Sequence, residues 1–581
     1  SAFRTTALVV APADTGAANQ GSVGKARSCT IRAMPTRASE LSFADAKQPP
    51  RLSGGVPLLG HTMGFLRDLT GLLSDARKEC GDVAAIKVLG REIVLVTGPA
   101  GQEEVFRAKD EVLSPKAAYK LMVPIFGKGV AYDCEDARMN EQLSMLLPAL
   151  QNKRMRTYGE VVSQEVEAST AGWGDRGVVD IYEYMQTLTS FTSSHCLLGP
   201  EFRNEMSDEF ARVYHALERS IVPLAYLNAR LPIPTFRKRD KARARLGEMV
   251  SEIVNRRRAK GSRGEDFMQT LMDATYKDGS SLTDHEITGM LVAAMFAGHH
   301  TSSVTAAWSV LELLQNPSWM KTVLAELDRV YANGRPIDFD SLRELEKTEW
   351  VVKEALRLHP PLFILVRVAM QDTTILGYKI PKGTWVALSP SVAHRIEKVF
   401  EAPESFCPFR YGPPRNEDKQ PFAYIAFGGG RHKCLGNAFA LLQVKSILAY
   451  LLLNYRFELY GDKVESDFQG LVIGPKMPIR VRYTKLERSV QGRSEPDPPS
   501  EGAAPEPTVA AAPENRPFKI VADHDLCQGH GVCEGEAAEL FELQNERVVL
   551  LDETPDPKLR KKAEAACEFC PQRALSIEDL D

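Results

Sequence analysis

The sequence predicts a mainly α-helical body carrying small β-sheets, joined by a disordered linker to a small α+β domain. Three observations carry that prediction. An apolar helical pattern runs over residues 284–315. A Pro/Ala/Glu-rich stretch, residues 486–516, has no hydrophobic stripe and should not pack. Beyond it, residues 517–581 hold four of the ten cysteines in a segment short enough that a metal centre would add needed stability.

The bulk numbers agree with more than one globular unit: 581 residues, 44% hydrophobic and 25% charged. From Pro517 to Asp581 there are seven Lys/Arg against fifteen Asp/Glu, a net −8, and the total of −4 leaves +4 on the rest. Six cysteines are scattered singly through the first 516 residues. Scattered single cysteines without a secretory signal point to a reducing, cytoplasmic setting, with peripheral membrane contact as an alternative. No apolar run approaches the ~18 residues of a membrane span, so no transmembrane segment is expected. Residues 1–45 are Ala/Ser/Thr/Arg-rich and aperiodic, a disordered or targeting-like segment set apart from the fold.

Folding signals begin at the Pro/Gly-rich QPPRLSGGVPLLGH (48–61), followed by the strand-like VAAIKVL (83–89) and REIVLVTG (91–98). The helix at 284–315 starts with capping-box spacing between Thr283 and Glu286 and ends before Pro317. At 1.5 Å per residue it spans roughly 48 Å, and its apolar character on most faces makes it a central helix. KEALRLHPP (353–361) sets Glu354 and Arg357 at i, i+3, ordinarily a solvated pair worth a few tenths of a kcal/mol. FCPFR (406–410) adds Arg410, and FGGGRHKCLG (427–436) presents Cys434 on a glycine-rich loop.

The Glu–Arg–Arg set, the cysteine loop and the long helix with a polar break, in this order, resemble the cytochrome P450 family. The resemblance implies haem b ligated by Cys434, a thiolate that favours O–O cleavage. It also implies Phe427 beside the sulfur, His432 and Arg367 at the haem propionates, and Glu354, Arg357 and Arg410 holding the fold below. AGHHTSS (297–303) and AAYKLMVPIFGKGVAYD (117–133) narrow the resemblance to the sterol 14α-demethylase family over residues 46–485. There His300 and Thr301 take the place of the usual acid–alcohol pair that delivers protons, a role suited to an imidazole titrating near neutrality. Tyr119 matches a haem-contacting tyrosine and Arg138 a propionate-binding residue. Tyr119, Leu121, Met122, Phe126, Ala297 and His299 would face substrate. Asn140 departs from the family by replacing a second basic residue. Leu121 resembles the lanosterol-type preference.

CQGHGVC (527–533) followed by Cys570-Pro571 resembles bacterial ferredoxins with His530 replacing the middle cysteine. Three thiolates, Cys527, Cys533 and Cys570, imply a 3Fe-4S cluster. Cys567 offers a fourth ligand for the 4Fe-4S alternative, and zinc is the competing metal. The implied enzyme is a P450–ferredoxin fusion that removes the 14α-methyl group of a sterol. No strand–GxGxxG–helix pattern supplies a dinucleotide site, so a separate NAD(P)H-dependent ferredoxin reductase is an expected partner beside a sterol and O2, and nucleic acid is not. The alternatives are a P450 hydroxylase of another lipid or terpenoid, and a non-catalytic haem/iron–sulfur carrier or sensor.

Overall fold

The computed structural model describes residues 42–487 and 517–580, apart from 89, 206, 222–224, 226–227, 262, 462–463, 468–471, 525, 528, 530, 545–546 and 571–573. The expectations for most of residues 1–45 and of the linker, for His530 and for Pro571, lie outside the described residues.

The body is helical around one long central rod. Helix α5 (Asp284–Gln315) has the expected capping box, in which Thr283 and Glu286 satisfy each other's free backbone N–H groups. From Ser302 to Leu313 every residue is buried. Its hydroxyls are accommodated by back-bonding, Thr305 Oγ1 donating to Thr301 O and Ser309 Oγ to Thr305 O, both at 2.7 Å. Around it lie α2 (Ile181–Ser193), α3 (Ser207–Glu218), α4 (Pro234–Lys260), α6 (Glu346–Leu358) and α7 (Asn437–Asn454). Among the described residues α7 alone is long and apolar enough to cross a membrane, which the sequence reading did not anticipate. It is mostly buried and packs against α5 and α6, so its composition is that of a core helix.

A five-stranded sheet flanks the helices. Strands β1 (Val83–Val88) and β2 (Arg91–Val96) form the hairpin expected from the sequence. With β3 (Leu113–Ser114), β5 (Leu365–Ala369) and β6 (Trp385–Leu388) the order is β1-β2-β6-β5-β3. Only the β2–β6 pair is parallel. The register sets Arg367 opposite Val386 and buries it, and a slip of one residue would turn it to the other face. Helix α1 (Pro99–Arg107) follows β2. A second sheet, β4 (Arg176–Asp180), β8 (Arg480–Lys485) and β7 (Tyr455–Leu459), closes the far side with β8 in the middle.

The C-terminal unit pairs its ends, β9 (Phe518–Ala522) with β12 (Leu575–Asp579), and adds the hairpin β10 (Phe541–Gln544) and β11 (Arg547–Leu550). Two helices, α8 (Val532–Glu536) and α9 (Arg560–Phe569), pack on a small core of Phe518, Ile520, Phe541, Val548, Ala563 and Ala566. This is the α+β unit expected from the sequence.

Thr283→Ala removes the side-chain half of the α5 cap and is expected to cost about 1 kcal/mol. The check is the urea midpoint of the full chain by circular dichroism, with Thr283→Ser close to the parent.

Candidate active site

The glycine run before Cys434 has a steric cause. Gly428 and Gly430 have φ of +71° and +61°, and a Cβ on Gly430 would collide with the Phe106 carbonyl. The loop therefore lies flat on the end of α1. Its closing bond runs from Cys434 N to Phe427 O at 2.9 Å and ties the two backbone positions together. The Cys434 side chain is exposed, yet burial raises its thiol pKa, against a Gly436 backbone hydrogen bond and nearby Lys433, which lower it. The thiol is thus accessible while the protein around it disfavours its charged form.

Below the loop, Glu354 is fully buried. It accepts from Arg357 (2.8 and 2.9 Å), Arg410 (3.0 and 3.1 Å), Tyr411 (2.9 Å) and the Cys407 N–H (2.8 Å). Burial would raise its carboxyl pKa, but the hydrogen bonds and charges of Arg357 and Arg410 hold it below the ordinary range. Arg357 then donates to the carbonyls of His394 (2.9 Å) and Ser405 (3.0 Å), and Arg410 donates to Glu417 (2.6 Å). His394 extends the support upward. Its Nε2 accepts from the Ile425 N–H at 2.9 Å, and burial lowers its pKa to about 3, so it stays neutral as that bond requires.

In the middle of α5 Ala297 is exposed, and Thr301 sits one turn later, its hydroxyl donating to Ala297 O at 2.6 Å. Arg367 is buried and donates at 3.1 Å to the carbonyl of Val366, and no carboxylate pairs with it among the described residues. Burial lowers its pKa, while Tyr119, Tyr132 and Asp110 raise it. His432 Nε2 lies 2.7 Å from Asp110 Oδ1. An accessible thiol on the glycine-rich loop and a buried guanidinium without a carboxylate ion pair among the described residues fit a haem, which Cys434 would hold at its iron and Arg367 at a propionate. Arg138 has different company: Asp278 (3.5 Å), Glu286 (3.9 Å) and the face of Tyr276. Leu121, Met122 and Phe126 are buried together, and Tyr132 stacks on Tyr119 (5.4 Å) and on Phe126 (6.1 Å).

Both adjacent histidines turn to one acid that the sequence reading missed. Glu218, at the end of α3, lies 2.5 Å from His300 Nε2 and 3.4 Å from His299 Nδ1. Burial would raise its carboxyl pKa, but hydrogen bonds from His299 and His300 outweigh that and hold it well below the ordinary range. Its other oxygen is 2.9 Å from Nδ1 of exposed His215. His299 Nε2 also meets Gln186 O at 2.9 Å. Tyr132, Asp110, His394 and Glu218 were all missed: Tyr132 stood unmarked inside the 117–133 motif, and the other three are single residues whose partners lie far away in sequence. Only His215 and Glu218, spaced i, i+3, left a faint local signal.

In the C-terminal unit, Cys527, Cys533 and Cys570 lie close enough to act electrostatically on one another at Cys533, whose pKa burial pushes up to about 11. Cys567 joins them, raised to about 12 by burial and then by Cys570. Backbone N–H groups of Val548 and Ala574 reach the sulfurs of Cys527 (3.4 Å) and Cys570 (3.3 Å). Converging sulfurs with N–H donors suit an iron–sulfur cluster. Two ion pairs join this unit to the body: Arg107 with Asp523 and Arg343 with Glu536, both at 2.9 Å. Arg107 also lies over Phe422, whose ring crowds Gly429 of the cysteine loop.

The chain matches the Cytochrome P450 family over residues 49–481 and a 4Fe-4S single cluster domain family over 520–577. With its thiolate loop and helical body, it belongs to the cytochrome P450 family. Its fold is shared with the retinoic acid bound cyanobacterial CYP120A1 (TM-score 0.67, 23% identity, 76% of this chain and 100% of that one). The P450DA heme domain gives 0.68, 23%, 76% and 98%. A sterol 14alpha-demethylase of Mycolicibacterium vanbaalenii is 40% identical, covering 76% of this chain and 99% of the relative. An obtusifoliol 14-alpha demethylase of Sorghum bicolor is 37% identical (76% and 91%), and a lanosterol 14-alpha demethylase of Bos taurus 33% (76% and 89%). The chain is thus a P450 monooxygenase of the sterol 14α-demethylase family, fused to a C-terminal iron–sulfur domain.

Removing one partner of the buried Glu354 network leaves charges uncompensated, so Glu354→Ala is expected to destabilise the body by about 3–5 kcal/mol. The check is loss of the thiolate-type CO difference spectrum at lower urea than in the parent.

Proposed function

We propose that this enzyme removes the 14α-methyl group of a lanosterol-type sterol in three O2-dependent oxidations, releasing formate and leaving a 14,15 double bond. The observation that carries the reading is the His300–Glu218 contact on the turn of α5 that begins at exposed Ala297. Glu218 continues it to exposed His215, a chain of hydrogen-bonded titratable groups that starts at the proton-delivering pair. Bound haem would supply the oxygen activation. His300 and Thr301 deliver protons, and Glu218 resupplies His300 from the His215 side. Tyr119, Leu121, Met122, Phe126 and His299 shape the sterol pocket with Ala297. Leu121 leaves room for the lanosterol type. Arg367 and His432 serve the propionates, with Arg138 a further candidate. The relatives, named as sterol, obtusifoliol and lanosterol demethylases, support this substrate class.

In this reading residues 46–485 form the P450, 486–516 the linker and 517–581 the ferredoxin. The ferredoxin passes single electrons from an NAD(P)H-dependent ferredoxin reductase to the haem. Cys527, Cys533 and Cys570 hold a 3Fe-4S cluster. The acidic unit approaches the mildly basic body on its cysteine-loop side, through acids close in sequence to cluster cysteines: Asp523 before Cys527 and Glu536 after Cys533.

Four measurements test this. With NADPH, a ferredoxin reductase, O2 and lanosterol, the expected products are the 14-demethylated sterol carrying a new 14,15 double bond, and formate. Intact lanosterol under conditions where the CO spectrum is thiolate-type would instead favour a hydroxylase of another lipid. Glu218→Gln is expected to slow turnover at least tenfold and shift its pH profile, with sterol binding retained. Reversing Arg107 and Arg343 to Glu should slow haem reduction by the cluster at least tenfold in stopped flow, and reversing Asp523 and Glu536 to Arg should restore it. Cys567→Ser should leave the oxidised-state electron paramagnetic resonance signal of a 3Fe-4S cluster intact, whereas loss of a reduced-state 4Fe-4S signal would assign Cys567 as a ligand.

A further inference from the structure

A cavity of about 570 Å³ lies apart from the thiolate site, between α4, the start of α5 and the segment Val123–Lys128. Its charged lining is lopsided: Lys128, Arg230, Arg239 and Arg243 against Asp240 and Asp284. Both acids are already engaged, Asp240 by Arg239 at 2.7 Å and Asp284 by Arg258 at 3.1 Å. Lys128, Arg230 and Arg243 have no carboxylate partner among the described residues. Arg243 is the informative one. Its Nη2 donates to the carbonyls of Phe126 (3.0 Å) and His285 (3.4 Å), and its buried Nε–H has no acceptor. Burial lowers its pKa to about 10, with no opposing acid. A guanidinium kept charged in such a place lacks an anion.

We propose that this cavity binds an oxyanion, a phosphate or carboxylate headgroup, held by Arg243, Lys128 and Arg230. The space exceeds what a bare anion fills, and Val123, Pro124 and Ala244 line part of it, which suits a headgroup followed by the first methylenes of an amphiphile. Gly127 permits the approach: its φ is +112°, and a Cβ there would meet the His285 ring and the Arg243 guanidinium. Because Arg243 also grips the carbonyl of Phe126, the anion site abuts the sterol pocket, and occupancy is expected to alter sterol affinity. That coupling alone rests on the proposed function; anion binding does not.

The test is isothermal titration of the full-length holoprotein, without sterol, against dodecyl phosphate, inorganic phosphate and dodecyltrimethylammonium. One dodecyl phosphate per chain is expected, with affinity falling at least tenfold in Lys128→Glu/Arg230→Glu. That variant changes exposed residues and can be checked for an unchanged haem spectrum. Arg243→Gln is a second variant, expected to lower affinity similarly. Equal affinity for inorganic phosphate would identify a free anion as the ligand, and binding of the alkyl phosphate alone an amphiphile; either supports the site. Absence of binding by both anions, equal affinity in the double variant, or equal binding of the alkylammonium would overturn it. Repeating the sterol titration with and without the anion reads the coupling separately.

Discussion

The structure depends first on one carboxylate that has no access to water. Glu354 receives two arginines, a tyrosine and a backbone N–H, and its arginines hold carbonyls of the chain that leads to the cysteine loop. Such a group is costly to bury, and only a complete set of partners offsets that cost. The network thereby fixes one backbone path between α6 and the loop. His394, neutral because it is buried, carries the same restraint to Ile425, three residues before the first positive-φ glycine. The thiolate's position is thus set by polar groups that never touch the cavity.

Legibility in the sequence followed whether a signal was local. The capping box of α5, the β1–β2 hairpin, the linker boundary and the cysteine loop are each written within a few neighbouring residues, and the first two and the loop stand where expected. The Glu354–Arg357 pair was visible as spacing, but spacing alone reads as a surface pair, and only burial distinguishes a few tenths of a kcal/mol from a structural keystone. Glu218 carries no such mark. It is one of many helical glutamates until α3 lies against α5 and brings it to His299 and His300. Asp110, more than three hundred residues from His432, is equally silent. The membrane-length apolarity of α7 shows the converse limit, since composition does not say whether core or lipid will cover a helix.

The two ion pairs between the units make a related point about magnitude. Arg107 and Asp523 each keep about a third of their side-chain surface exposed (35% each), so the pair adds little stability. Its value is in selecting which face of the acidic unit meets the cysteine loop. Under the proposed electron-transfer role, a weak, charge-guided contact would let the iron–sulfur unit leave to collect electrons and return.

Buried arginines separate into two kinds in this chain. Arg357 and Arg410 meet carboxylates and serve the fold. Arg367, and half-buried Arg243, hydrogen-bond to carbonyl oxygens and form no carboxylate ion pair among the described residues, with Asp110 acting on Arg367 only at longer range. For Arg367 the proposed partner is a propionate of the haem, which would supply the anion. Arg243 likewise faces a cavity whose wall carries two more cations, Lys128 and Arg230, with no carboxylate partner among the described residues. If an unneutralised buried guanidinium marks an anion in the first case, consistency requires one in the second. The shared carbonyl of Phe126 then makes the sterol pocket sensitive to it.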